Sequence, residues 1–171
     1  EVKDIGWYAG LMSAPAGFIG TELVRLAVEG DREYAGDDFI ALLALVTSCG
    51  YAGGSDSTKN WVSFCNFRPE RCEAIVALAS RVGFRQVPSK PEVWYRTDAG
   101  ALANWVRANC YANPELGALN KKCPDIIKLA SSRQMRLFLD FFGDRDHGKD
   151  KSIKFYSSSK RLIDDLQEIH L

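Results

Sequence analysis

The chain has 171 residues, 46% of them apolar and 26% charged, a composition that suits one folded domain with a substantial core and excludes disorder, collagen and coiled coil. Its 22 basic and 22 acidic side chains cancel, so composition alone gives no electrostatic reason for a nucleic-acid partner. Apolar runs such as 39–46 and 135–142 fall far short of the roughly 20 residues of a membrane span, and no basic-then-apolar leader opens the sequence; an intracellular, soluble monomer without a membrane partner is expected.

In chain order, the small residues Gly6, Gly10 and Ala14 recur every fourth position and predict a helix over 5–14, ended by Pro15, with a face that another helix can approach closely. Partial alternation over 18–28 predicts a strand or strand pair. Asp37 and Asp38 open a helix that runs through Phe39, Leu42, Leu43 and Val46 and stops at Cys49-Gly50; the glycine and serine cluster 53–57 is a turn. A strand over 61–67 and a helix over 69–82 stopped by Gly83 come next, then strands near 84–87 and 92–96 and a helix over 99–109. Residues 112–125 are polar and turn-like. A long helix from Ser131 to about Asp144, capped by Ser131 or Ser132, then a strand over 151–156 and a helix over 159–169 capped by Ser159 complete the order. Such alternation predicts an α+β fold, with helices on one face of an antiparallel sheet.

Charge is unevenly placed: residues 1–119 hold 11 Lys/Arg against 14 Asp/Glu, and residues 120–171 hold 11 against 8, so the C-terminal part is the cationic end. Five scattered cysteines, with no CxxC pair and only two histidines, read as reduced core thiols rather than a zinc site. Near 144–146, Asp144 and Asp146 place two carboxylates just past an apolar helix, a position from which one or two acidic oxygens can hold Mg²⁺.

Three blocks carry a resemblance. They are Gly117-Ala118-Leu119-Asn120-Lys121-Lys122-Cys123-Pro124-Asp125, then Phe138-Leu139-Asp140-Phe141-Phe142-Gly143-Asp144-Arg145-Asp146-His147-Gly148, then Ser157-Ser158-Ser159-Lys160-Arg161-Leu162. In order and approximate spacing they resemble the LAGLIDADG, or dodecapeptide, homing endonucleases embedded in inteins, and Tyr8-Ala9-Gly10-Leu11-Met12 is similar to that family's first motif helix. The resemblance implies αββαββα repeats with an antiparallel saddle sheet. The first repeat would cover 1–118 with a degenerate motif helix, and a partial second repeat 119–171 with its motif helix over 133–146.

It further implies two motif helices packed side by side, each delivering an acid to a Mg²⁺ or Mn²⁺ over the scissile phosphates of double-stranded DNA. The matching catalytic and metal-binding acid is Asp146, and the matching catalytic lysine is Lys121, which neutralises developing charge. Arg25, Lys122, Lys151 and Lys154 are the candidate DNA contacts, and a flanking intein splicing domain is the implied protein partner. The departures are Pro15 at the first acid position, which has no ligand oxygen, Ala16 for the glycine after it, Phe141 where a small residue permits helix contact, and His147 for the glycine that follows the second acid. The sequence thus leaves three readings: an impaired homing endonuclease, a non-cleaving DNA-binding or passively inserted domain, and an unrelated α+β regulatory domain.

Overall fold

The structure, a computed structural model, describes residues 2–4, 23–26, 32–53, 60–66, 72–88, 93–113, 117–145 and 153–170. Strands β1 (Val2–Asp4), β2 (Leu23–Leu26) and β3 (Arg32–Ala35) form a small sheet in which β1 runs parallel to β2, and β2 antiparallel to β3. Helix α1 (Gly36–Cys49) leads into β4 (Gly50–Gly53) and β5 (Trp61–Asn66). Helix α2 (Cys72–Arg81), strands β6 (Arg85–Val87) and β7 (Val93–Thr97), and helix α3 (Gly100–Cys110) follow. Strands β4 to β7 make one antiparallel sheet in the order β4-β5-β7-β6. A 3₁₀ turn at Ala118–Asn120 and the short helix α4 (Asp125–Lys128) then lead to α5 (Ser132–Phe142). A two-residue ladder of β8 (Asp144–Arg145) with β9 (Ile153–Lys154) and the helix α6 (Lys160–His170) end the order. The α+β expectation holds.

Helix α1 is the centre of the molecule. Asp37 and Asp38 in its first turn suit the positive end of the helix dipole. Every residue from Phe39 to Thr47 is buried, because β4 and β5 lie on one side and α5, α2 and β3 on others. A helix that is apolar all round needs such surroundings. It ends at Gly50, whose N–H bonds the Val46 carbonyl. A Cβ there would sit 2.5 Å from the Val46 Cα and 2.9 Å from the Ser63 carbonyl oxygen, so only glycine lets the helix end meet β5 this closely. Helix α2 ends differently: Gly83 takes φ 73, and Phe84 N–H reaches back to the Ala79 carbonyl at 2.8 Å, a left-handed stop that requires glycine.

The sheet buries one face against the helices. On it Ala52, Val62 and Thr97 form one cross-strand row, and Phe64 and Tyr95 the next, stacked with ring centroids 5.4 Å apart; Phe84 packs on Phe64 at 5.0 Å. From α1, Phe39 meets the edge of Trp105 of α3 at 5.3 Å.

Helices α1 and α5 lie parallel. Arg133 in the first turn of α5 donates two hydrogen bonds, of 2.7 and 2.9 Å, to Asp37 in the first turn of α1. The guanidinium, and secondarily the Gln134 side chain, hold the Asp37 carboxyl below the usual carboxylate range against a smaller opposing effect of burial. Ser131 caps α5 by a capping box: its Oγ accepts from Gln134 N–H at 3.4 Å, and Gln134 Oε1 accepts from Ser131 N–H at 3.3 Å.

Several boundaries differ from the sequence expectation. The motif helix expected over 133–146 stops at Phe142, because the next residue is Gly143 and Asp144 already pairs with Lys154 in the β8–β9 ladder. Strand β4 was not expected, since Gly50-Tyr51-Ala52-Gly53 lacks the β-branched residues that mark strands. The helix expected over 5–14 lies outside the described residues, as does most of the turn at 53–57. Truncating Phe138, fully buried on α5, to alanine is expected to lower stability by about 3–5 kcal/mol. Ser131→Ala removes the cap and is expected to cost about 1 kcal/mol; urea denaturation of the two variants should preserve that order.

Candidate functional site at the ends of two parallel helices

Because α1 and α5 run parallel, their C-terminal ends, Cys49-Gly50 and Phe142-Gly143, lie at one end of the pair. Both helices close in the same manner, the glycine N–H bonding the carbonyl four residues back, Val46 in α1 and Leu139 in α5, before the chain enters a strand. At the end of α1 the last carbonyls face protein rather than water. They are met by Lys121.

The Lys121 side chain is 93% buried (7% exposed) and its Nζ donates to the carbonyl oxygens of Gly50 at 2.8 Å, Val46 at 3.1 Å and Ser48 at 3.5 Å. An ammonium at a helix C-terminus faces the negative end of the dipole, which favours the charge, whereas burial opposes it. Burial is the larger effect and brings the Lys121 pKa down, with nearby thiols acting in the other direction. Lys121 also joins three elements through its backbone. It bridges Tyr111 at the end of α3, its carbonyl accepts Ser159 Oγ at 2.6 Å, and that same Oγ accepts Leu162 N–H at 3.3 Å as the cap of α6. A cavity of about 630 Å³ opens beside it, bordered by Ser48, Tyr156, Ser157, Ser158 and Ile163.

Cys49 stands between the carbonyls that hold Lys121. Its Sγ donates to the Cys65 carbonyl at 2.9 Å and Cys65 Sγ donates to the Cys49 carbonyl at 3.5 Å. Hydrogen bonding from the Cys65 thiol is the main influence that brings Cys49 down to about 6, with smaller help from Ser48 and the Lys121 charge, against burial. The remaining described thiols behave oppositely: burial pushes Cys110 up to about 12 and raises Cys123 well above its ordinary value. The described cysteines are free thiols, as the sequence reading has them; Cys49 is half-buried and Cys65, Cys110 and Cys123 are buried.

The sheet face turned from the helices carries a second cluster. Tyr51, Ser63, Arg96 and Arg85 form one cross-strand row, flanked by Trp61 and Trp94. The Arg96 guanidinium lies 4.8 Å above the Trp61 ring, and Tyr51 tilts against Trp61 at 5.6 Å. Asp98 accepts from Arg85 at 2.6 Å and Arg96 at 2.9 Å, and these cations, Arg96 foremost, hold its carboxyl below the usual range.

Of the expected site residues, the structure brings Lys121 to the end of α1 and describes Lys122 as half-buried, its N–H bonded to the Cys110 carbonyl at 2.9 Å. Arg25 falls on β2 and Lys154 on β9, strands of two different sheets. Pro15, Asp146, His147 and Lys151 lie outside the described residues. Among the described residues the helix packed most closely beside α5 is α1; the partner helix expected over 5–14 lies outside them. Sequence reasoning missed Cys49, Cys65, Trp61 and Arg96; the available signal was a cysteine just before the glycine that ends a continuously apolar helix. Among the described residues no group of three His, Cys, Asp or Glu side chains lies close enough to hold a metal, and no helix is long and apolar enough to cross a membrane. No family model matches the chain, and no curated protein matches it.

Replacing Lys121 by methionine keeps the stem and deletes the donors, so buried carbonyls lose their partner; a loss of about 1–3 kcal/mol in urea denaturation is expected. Cys49 also sets a pH dependence. Its thiol ionises at about 6 when folded and at 9.0 ordinarily, so between those values the unfolded chain binds the extra proton and stability rises with pH. The rise is fully present above 9.0, is lost as pH falls through 6, and should be smaller in Cys49→Ser when urea midpoints are compared across that window.

Proposed function

We propose that the chain is a LAGLIDADG-type DNA-binding module that has lost cleavage. One observation carries this reading: in the parallel pair α1 and α5, each closed by glycine and followed by a strand, α1 ends in Cys49 and not in an acid. The order α1-β4-β5-α2-β6-β7-α3 supports it, because it is the helix, strand, strand, helix, strand, strand, helix order that the resemblance implies; α5-β8-β9-α6 begins the same order again. In this reading the first motif helix is α1 instead of the one expected over 5–14, and the place of its acid is taken by Cys49 instead of Pro15, while Asp146 beyond α5 remains the second acid.

Magnesium takes hard oxygen ligands, and the described groups at the end of α1 are a soft thiol and an ammonium that already occupies the nearby carbonyls; the expected acid beyond α5, Asp146, lies outside the described residues. Lys121 serves here to close α1, which leaves it no free donor geometry for a scissile phosphate. Binding has better support. The row of Arg96 and Arg85 with Tyr51, Trp61 and Trp94 offers cations for phosphates and planar groups for a shaped surface on the sheet face away from the helices.

The test combines binding and cutting. Fluorescence anisotropy with a pool of random duplexes should show affinity that falls with salt, and Arg96→Ala and Arg85→Ala should each reduce the salt slope by about 1. A supercoiled plasmid carrying randomised inserts should stay intact with Mg²⁺ or Mn²⁺. Salt-insensitive or absent duplex binding overturns the module; metal-dependent linear product that disappears in Asp146→Asn restores the endonuclease.

A further inference from the structure

We propose that Cys49 and Cys65 form an oxidisable dithiol, a modification site at which a hydroperoxide closes a disulfide between the end of α1 and strand β5. The proposal does not rest on the DNA-binding reading. Its first support is register. The β4–β5 ladder begins with Gly50 opposite Phe64, and Cys49, the last residue of α1, and Cys65 are the residues that flank this pair. A ladder pair holds its Cα atoms about 4.5–5.5 Å apart, and a disulfide spans roughly 4.4–6.8 Å.

Side-chain geometry agrees. Cys49 Sγ donates to the Cys65 carbonyl oxygen at 2.9 Å and Cys65 Sγ donates to that of Cys49 at 3.5 Å, so each sulfur lies against the other residue's backbone. Their exposures assign the roles. Cys49 is half-buried and open to a small oxidant, while Cys65, 4% exposed, needs to reach only Cys49. The Lys121 ammonium donates to the carbonyls on both sides of Cys49, at 3.5 Å to Ser48 and 2.8 Å to Gly50, and so favours the thiolate that attacks a peroxide. Cys110 and Cys123, 1% and 0% exposed, have no access for an oxidant.

In the first step the Cys49 thiolate attacks the peroxide oxygen; the O–O bond breaks, the leaving oxygen takes up a proton, and Cys49 becomes a sulfenic acid. In the second, Cys65 sulfur gives up its proton and attacks Cys49 sulfur, the S–O bond breaks, and water leaves with that proton. Two thiols are oxidised by two electrons and one hydroperoxide is reduced. A thiol reductant reverses the product.

The experiment treats the full chain with hydrogen peroxide, blocks remaining thiols by alkylation, and maps peptides by mass spectrometry with and without dithiothreitol. The expected result is a mass lower by two hydrogen atoms, loss of alkylation at Cys49 and Cys65 together, and recovery of both on reduction. Cys65→Ser should stop at the Cys49 sulfenic acid, captured by dimedone; Cys49→Ser should leave Cys65 alkylated. Full alkylation of both thiols after peroxide, a disulfide from either cysteine to any other, or irreversible oxidation of Cys49 alone each overturns the proposal. The wild-type map decides by itself, so a variant that fails to fold removes no part of the test.

Discussion

The ammonium of Lys121 against the C-terminal carbonyls of α1 is the interaction on which the rest of the structure depends. A helix buried on every side from Phe39 to Thr47 cannot let water satisfy its last carbonyls, and a buried acceptor without a donor is costly. The chain supplies a cation from 71 to 75 residues away instead. Burying that charge carries its own desolvation cost, which three carbonyl oxygens and the helix dipole offset in part. Through its backbone the same residue fixes the end of α3 and the cap of α6, so one position aligns three helices.

This commitment shapes the chemistry at the helix ends. A positive group held beside Cys49 favours negative charge on its sulfur.

The opposite ends of α1 and α5 are tied as firmly. Arg133 and Asp37 form a two-bond pair on the surface, worth little by itself because both groups are partly exposed. Its effect is on direction: with the fully buried Gln134 engaged both with Ser131 and with Asp37, it sets the two helices parallel and in register. At the far end of the chain, Asp165 of α6 accepts Cys123 N–H at 3.0 Å and Lys128 at 2.7 Å, which anchors α4 beneath α6 and keeps the segment carrying Lys121 in place.

Much of this was legible in the residues. Local signals marked α1 by its first-turn acids and terminal glycine, α2 by Gly83, α5 by Ser131 and α6 by Ser159, since a cap is written within a few residues of the helix it closes. The α+β alternation and the strands near 61–67, 84–87 and 92–96 followed from the same short-range patterns. Strand β4 escaped because its residues carry no strand propensity and are extended only by pairing with β5, and α5 ended early because Asp144 is taken by a ladder with Lys154. What only the tertiary structure decided was long-range: that α1 is the partner of α5, that Lys121 closes a helix rather than facing open solvent, and that Cys49 meets Cys65. By itself the sequence determined the helices and their ends, through contacts between near neighbours. The meeting of Lys121 with Val46 depended on packing, because no local pattern records which buried carbonyls a distant side chain must satisfy.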